Sequence, residues 1–120
     1  MDAAYVFRVR FRLDPAGVAV APDEFETVVR KPAATAGDDG WLFFLHNLWR
    51  GDVNDDRHAR SLAEEWLSVP VVDVGFSELD TDEAHLAALK AEIADDLDRF
   101  NADDVSEVLN KYFGSSIRVR

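Results

Sequence analysis

Few residues of this 120-residue chain have the types and spacing that reaction chemistry needs. His46, His58 and His85 lack a His-x3-His spacing, and the pattern around them places one on a strand end and two on separate helices. Asp55, Asp56 and His58 together could ligate a metal, yet a capped and solvated helix start explains the acids without an ion. Ser61, Ser68, Ser77, Ser106, Ser115 and Ser116 include no Gly-x-Ser-x-Gly elbow that would expose a nucleophile. Gly37-Asp38-Asp39-Gly40 carries two acids where a phosphate-cradling loop needs bare amides or a lysine. The pairs Asp95-Asp96 and Asp103-Asp104 are adjacent along helical segments and point apart, so they make a poor general acid and base. No catalytic residue, metal ligand or cofactor site is assigned, and an enzyme is the least favoured class.

Recognition chemistry is better represented. Arg8, Arg10 and Arg12 recur at every second position, and Arg118 and Arg120 repeat that spacing at the other end of the chain. If the first and last strands pair, as they do in ferredoxin-like sheets, five arginines gather on one sheet face. Planar guanidinium forks there would bind carboxylate or phosphate, a small anionic ligand or an acidic partner. The simpler reading, which is preferred, pairs them across strands with Glu24, Glu26 and neighbouring helix acids, each pair worth only about tenths of a kcal/mol. Trp49 and Arg50 are the second candidate. Either Trp49 caps the core and Arg50 satisfies helix carbonyls or acids nearby, or the two form an interface anchor of the kind in which Trp and Arg are enriched.

The elements that must position these side chains follow from hydrophobic spacing. The densest apolar stretch is Gly40 to Asp52, and its first half, Trp41 to Leu45, reads as a continuous strand buried in the sheet. Asn47 to Asp52 is then the turn into a helix, with Trp49 and Arg50 at a strand-to-helix corner. Tyr5, Phe7, Val9, Phe11 and Leu13 alternate with Val6, Arg8, Arg10 and Arg12, which predicts a strand with one face in the core. Turn chemistry at Asp14-Pro15-Ala16-Gly17 leads to a second strand over 24–31, closed by Lys31-Pro32. A helix over 55–67 buries Ala59, Leu62, Ala63, Trp66 and Leu67, with Asn54 or Asp55 as its cap. Val71 to Phe76 is a further strand, and the helix before it makes a crossover unit with the Trp41 strand. The longest helix is expected over 82–100, opened by a capping box of Asp80 and Glu83. A second box, Asp104 to Glu107, opens a short helix that Gly114 stops, and Ser116 to Arg120 is the last strand.

Composition limits what such a domain binds. With 24 acidic residues against 13 basic ones the net charge is −11. Asp outnumbers Glu by 16 to 8 and Arg outnumbers Lys by 10 to 3, the acid-coated, lysine-poor balance that suits a protein working in high salt. Overall acidity disfavours nucleic acid and anionic membrane. High salt disfavours phosphate-backbone contacts further: at about 0.9 decade per contact for each tenfold rise in salt, four contacts lose over three decades. Contacts that bury apolar area are not weakened, so a protein partner or self-association is preferred. The absence of cysteine removes disulfides and thiolate chemistry. No apolar run has the length of a membrane span and the first residues lack a signal-peptide layout, so a cytoplasmic protein is expected.

One resemblance can be stated. Asn47-Leu48-Trp49-Arg50-Gly51-Asp52, the Asp- and Arg-rich helix after it, Phe100 to Leu109 and Gly114-Ser115-Ser116-Ile117 resemble a small family of salt-loving archaea, LWR-salt, named for a Leu-Trp-Arg motif that here is Leu48-Trp49-Arg50. The likeness runs over nearly the whole chain. It implies the habitat and implies no activity, ligand or site. The expectation is therefore one α+β domain, a two-layer sandwich with a mainly antiparallel sheet of about five strands and three helices on one face, serving as a non-enzymatic interaction or regulatory module.

Overall fold

The structure, a computed structural model, describes residues 2–13 and 23–120. The turn expected at Asp14 to Gly17 lies outside the described residues. Strand β1 (Ala3–Arg12) holds the centre of a four-stranded sheet, with β2 (Glu24–Pro32) antiparallel on one side and β5 (Val71–Thr81) antiparallel on the other. Strand β6 (Ile117–Val119) runs parallel to β5 on its far side, giving the order β2-β1-β5-β6. Helices α1 (Phe43–Asn47), α2 (Asp56–Leu67), α3 (Glu83–Ala94) and α4 (Val105–Phe113) pack on the inner face. A separate two-stranded hairpin, β3 (Leu48–Trp49) and β4 (Asp52–Val53), follows α1 directly. The architecture is α+β, as the residue pattern implies.

The alternation in β1 decides which way the sheet faces. Odd-numbered Ala3, Tyr5, Phe7 and Val9 join Val74, Phe76 and Leu79 of β5 in one cluster with Phe44, Leu48, Ala59, Ala63, Leu89, Ile93, Phe100, Val108, Tyr112 and Phe113. Even-numbered Arg8 and Arg10 point to the open side. Burial raises the Tyr5 hydroxyl pKa above its ordinary value. Two β-bulges, at Val72 and Ser77, keep β5 in phase with β1. The one at Ser77 explains why β5 runs five residues beyond the expected end at Phe76. Inward positions change there from even (Val74, Phe76) to odd (Leu79, Thr81), which breaks the alternation in the sequence without ending the strand.

Trp41 to Leu45 is not a strand. Trp41 and Leu42 lie in a turn and Phe43–Asn47 is helical. A short apolar run is compatible with either structure, and here Trp41, Phe44, Leu45 and Leu48 fall at i, i+3, i+4 and i+7, one face of a helix. Phe44 and Leu48 are fully buried, with Phe44 stacked on Phe100 at 5.8 Å and tilted against Phe113 at 5.2 Å. The parallel crossover consequently lies elsewhere, from β5 through α3 and α4 to β6.

The helix expected over 82–100 stops at Ala94 and resumes as a 3-10 turn over Leu97–Phe100. Asp95, Asp96 and Asp98 crowd negative charge at the negative end of the helix dipole, and the break lets Phe100 swing into the core. Asp82, not Asp80, caps α3, accepting from the His85 amide at 2.7 Å. Asp80 remains in β5. The caps of α2 and α4 are Asp55 and Asp104, both among the residues the pattern marks; at α4 the Glu107 carboxylate reaches back one residue further than a capping box does and accepts from the Asp103 amide.

Candidate functional site

The Leu48 to Asp52 segment closes a two-residue hairpin loop, not a strand-to-helix corner. Trp49 pairs with Asp52, and Arg50 and Gly51 between them take φ of 53° and 85°, the values of a type I′ turn. The turn presses on the end of α4. Arg50 donates its amide to the Lys111 carbonyl at 2.8 Å and Gly51 donates to Tyr112 at 3.0 Å, supplying partners that the last turn of a helix otherwise lacks. The packing is close on both sides: a Cβ on Gly51 would lie 3.0 Å from the Phe113 oxygen, and one on Gly114 would lie 3.3 Å from the Arg50 carbonyl. Asp52 then ties the hairpin to the sheet, its Oδ1 accepting from the Phe76 amide at 3.1 Å and the Val53 amide at 2.8 Å.

The side chains of Trp49 and Arg50 take no part in that clasp. Trp49 is 45% exposed, meets Tyr112 edge-on at 5.9 Å, and carries the Arg50 guanidinium 5.6 Å above its ring. Burial raises the Tyr112 hydroxyl pKa. Beside the pair lies a recess of about 410 Å³ lined by Glu107, Asn110 and Lys111 of α4 and by Gly114, which caps it. The sequence reading gave Glu107 and Gly114 only the capping and stopping of the helix and passed over Asn110 and Lys111, although the i, i+3, i+4, i+7 spacing of the four marks a single helix face. Lys111 is turned away, its ammonium donating to the carbonyls of Phe100 at 2.9 Å and Asn101 at 3.1 Å.

The five arginines do share the open face, by a route other than the expected one. The terminal strands do not pair, because β5 lies between β1 and β6. Asp80, Glu78 and Asp73 of β5 therefore separate Arg8, Arg10 and Arg12 from Arg118 and Arg120, and Arg30 of β2 joins the set. Most of these cations have acids. Arg120 donates from Nε to Asp80 at 2.6 Å and lies 3.4 Å from Asp2; Arg30 meets Asp80 at 3.0 Å, Arg118 meets Glu78 at 3.7 Å, and Arg12 meets Glu24 at 3.7 Å and Asp23 at 3.9 Å. In register Arg30 stands opposite Val6 and Asp80 opposite Ala4, so their bridge spans β1 over two outward residues that are nonetheless buried. The Arg120 hydrogen bond, with help from Arg30, holds the Asp80 carboxyl below its ordinary pKa against the opposing effect of desolvation.

Arg8 and Arg10 have no ion pair among the described residues. They line a small recess of about 90 Å³ with Glu26, Asp73 and Gly75, where a Cβ on Gly75 would lie 3.3 Å from the Arg8 guanidinium. A third recess, of about 460 Å³, is built from the single stretch Gly37 to Asn47 and includes His46, so His46 and Arg50 line different hollows. Among the described residues no three His, Asp or Glu side chains converge as a metal would need, and no helix is long and apolar enough to cross a membrane.

Searches of curated proteins and of solved structures find no match to this chain. Its sequence does match a family profile from residue 1 to residue 120, with the Leu48-Trp49-Arg50 hairpin inside the match, and the chain belongs to the LWR-salt protein family.

Proposed function

We propose that this protein is a non-enzymatic interaction module of a haloarchaeal cytoplasm, and that it engages a protein partner through Trp49 and Arg50. The observation that carries the reading is the conformation of Arg50. A type I′ turn favours Asn or Gly at that position, and a side chain such as arginine costs about 1–2 kcal/mol in the left-handed region. The backbone clasp on α4 needs only the amide there. An arginine kept where it strains the turn, with its charged head over an exposed tryptophan, is best explained by contact outside the chain. Around it the recess offers Trp49 as an apolar surface and Arg50 as a cation for an acceptor-bearing partner. Burial of Trp49 would hold in molar salt, where a surface ion pair alone would not.

The test is a pull-down from the organism's own lysate in molar potassium chloride, with mass spectrometry of bound proteins. A stoichiometric partner is expected that is lost with Trp49→Ala and with Arg50→Asn. Both variants should stay folded, and Arg50→Asn should gain about 1 kcal/mol in unfolding free energy from relief of the turn. Retention of the partner by both variants, or no bound protein at all, would remove the reading.

A second reading rests on Arg8 and Arg10, the two arginines of the open face without an ion pair among the described residues. They suit a small anionic ligand whose charge outweighs the neighbouring Glu26 and Asp73. A thermal shift with nucleotides or acidic metabolites that disappears in Arg10→Glu would support it; the same shift in the variant would exclude it.

A further inference from the structure

Among the described residues the sheet has one long free edge. The opposite edge, β6, spans only Ile117–Val119, whereas β2 runs from Glu24 to Pro32 in unbroken register with β1. At either end of that ladder Leu13 donates to the Asp23 carbonyl and Ala33 donates to Ala3, so the odd-numbered residues of β2 face β1. The amides and carbonyls of Glu24, Glu26, Val28 and Arg30 consequently point outward. Natural edges are blunted by a bulge, a mid-strand proline, a short length, a covering segment or charged side chains, and of these β2 carries the charges Glu24, Glu26, Arg30 and Lys31, which suit an oppositely charged partner strand. Strand β2 has no bulge, its proline stands at the last position, and the residue at mid-edge is Val28, 61% exposed.

We propose that a second copy of this chain pairs with the first along this edge, β2 against β2, antiparallel about Thr27. The side chains are self-complementary in that register. Glu24 comes opposite Arg30 of the other copy, Asp23 opposite Lys31, Phe25 opposite Val29 and Thr27 opposite itself, so each charge gains a second partner beside the one it has within its own chain: Arg12 for the two acids, Asp80 for Arg30 and the Phe43 ring for Lys31. Acids occupy one end of the strand and bases the other, so a two-fold axis at its middle sets opposite charges face to face at both ends. Outward Glu24 and Glu26 of one copy oppose outward Arg30 and Val28 of the other, and each opposed pair exchanges two backbone hydrogen bonds.

Neighbouring registers are worse. A shift of one residue sets outward amides against residues already bonded to β1. Centring on Glu26 puts that carboxylate opposite itself, and centring on Val28 faces Glu24 with Pro32, which has no amide to donate, and Phe25 with Lys31. Pairing about Thr27 keeps inner faces together, since odd residues oppose odd ones, so the two half-open inner surfaces of β2 become one. This surface is separate from the Trp49 hairpin, and neither reading depends on the other.

The chain has no native cysteine, which allows a direct test. Thr27 opposes Thr27 at a non-hydrogen-bonded site with Cα atoms about 4.5 Å apart, within disulfide range. In molar potassium chloride the wild-type chain should sediment as a dimer at high concentration. Thr27→Cys should cross-link on mild oxidation about tenfold faster than the exposed control Ser115→Cys. Val28→Pro removes an outward donor and leaves the β1 ladder intact, so it should be a folded monomer. A monomeric wild type, equal cross-linking rates in the two cysteine variants, or a dimer that survives Val28→Pro would each overturn the proposal.

Discussion

Gly51 shows how one atom can fix a motif. Its φ of 85° and the Phe113 oxygen 3.0 Å from where a Cβ would sit leave room for hydrogen alone. Gly51→Ala should therefore lose about 2 kcal/mol or more of unfolding free energy, read by denaturant titration, through strain at the turn and loosening of α4. A loss below about 0.5 kcal/mol would mean the hairpin can move off the helix without consequence, as surface substitutions do. The neighbouring residues behave differently because their side chains leave the clasp. Reading Trp49 and Arg50 from the sequence as a core cap set against an interface anchor combined two questions that the geometry separates: the backbone of the motif is structural and its side chains face water. No linear pattern distinguishes these, since the partner of the Arg50 amide lies in α4.

Among the elements, the junction of β5 with α3 concentrates the groups that respond to pH. Asp80 is held low by Arg120, and the His85 amide, together with that of Asp2, lowers the Asp82 carboxyl. Burial lowers the His85 imidazole pKa, with Asp82 and Asp2 opposing that effect. All three groups act in one direction. His85 favours its neutral form when folded, so its contribution is complete above the unfolded value of about 6.5 and is lost as pH falls below it. The two carboxyls favour their charged forms and hold until pH falls through about 3.8 and below. Melting followed from pH 8 to pH 3 should fall in two stages, and His85→Gln should remove the first; a flat profile between pH 7 and pH 5 in the wild type would sink this assignment. How legible these elements are in the sequence depends on period. Strands β1, β2 and β6 and helices α2 and α4 follow from plain alternation or clear caps. Strand β5 is cut short because a bulge resets its phase, α3 is overextended because the apolar spacing continues through the 3-10 turn, and α1 is misassigned because a buried run has no polar side to reveal its period.

Across the molecule, charge is distributed unevenly. Six arginines and their acids occupy the open face of the sheet, while the net charge of −11 is carried by an excess of acids elsewhere in the chain. Self-repulsion of that excess is long-ranged, whereas most of the ion pairs are exposed and worth about tenths of a kcal/mol each. Raising potassium chloride from about 0.1 M to 1 M shortens the screening length from about 10 Å to 3 Å, so relief of repulsion should win. The melting temperature is expected to climb by several degrees, and a fall would show that the arginine face holds the sheet more strongly than its exposure suggests. The hairpin clasp has its own consequence for assembly. Arg50 and Gly51 bond to carbonyls in α4, a helix of nine residues that is too short to persist in water unaided. During synthesis the hairpin leaves the ribosome well before α4 exists, and its outward amides must wait in solvent until that helix is made. The clasp therefore closes only after α4 has been made, whatever the rest of the chain has done by then.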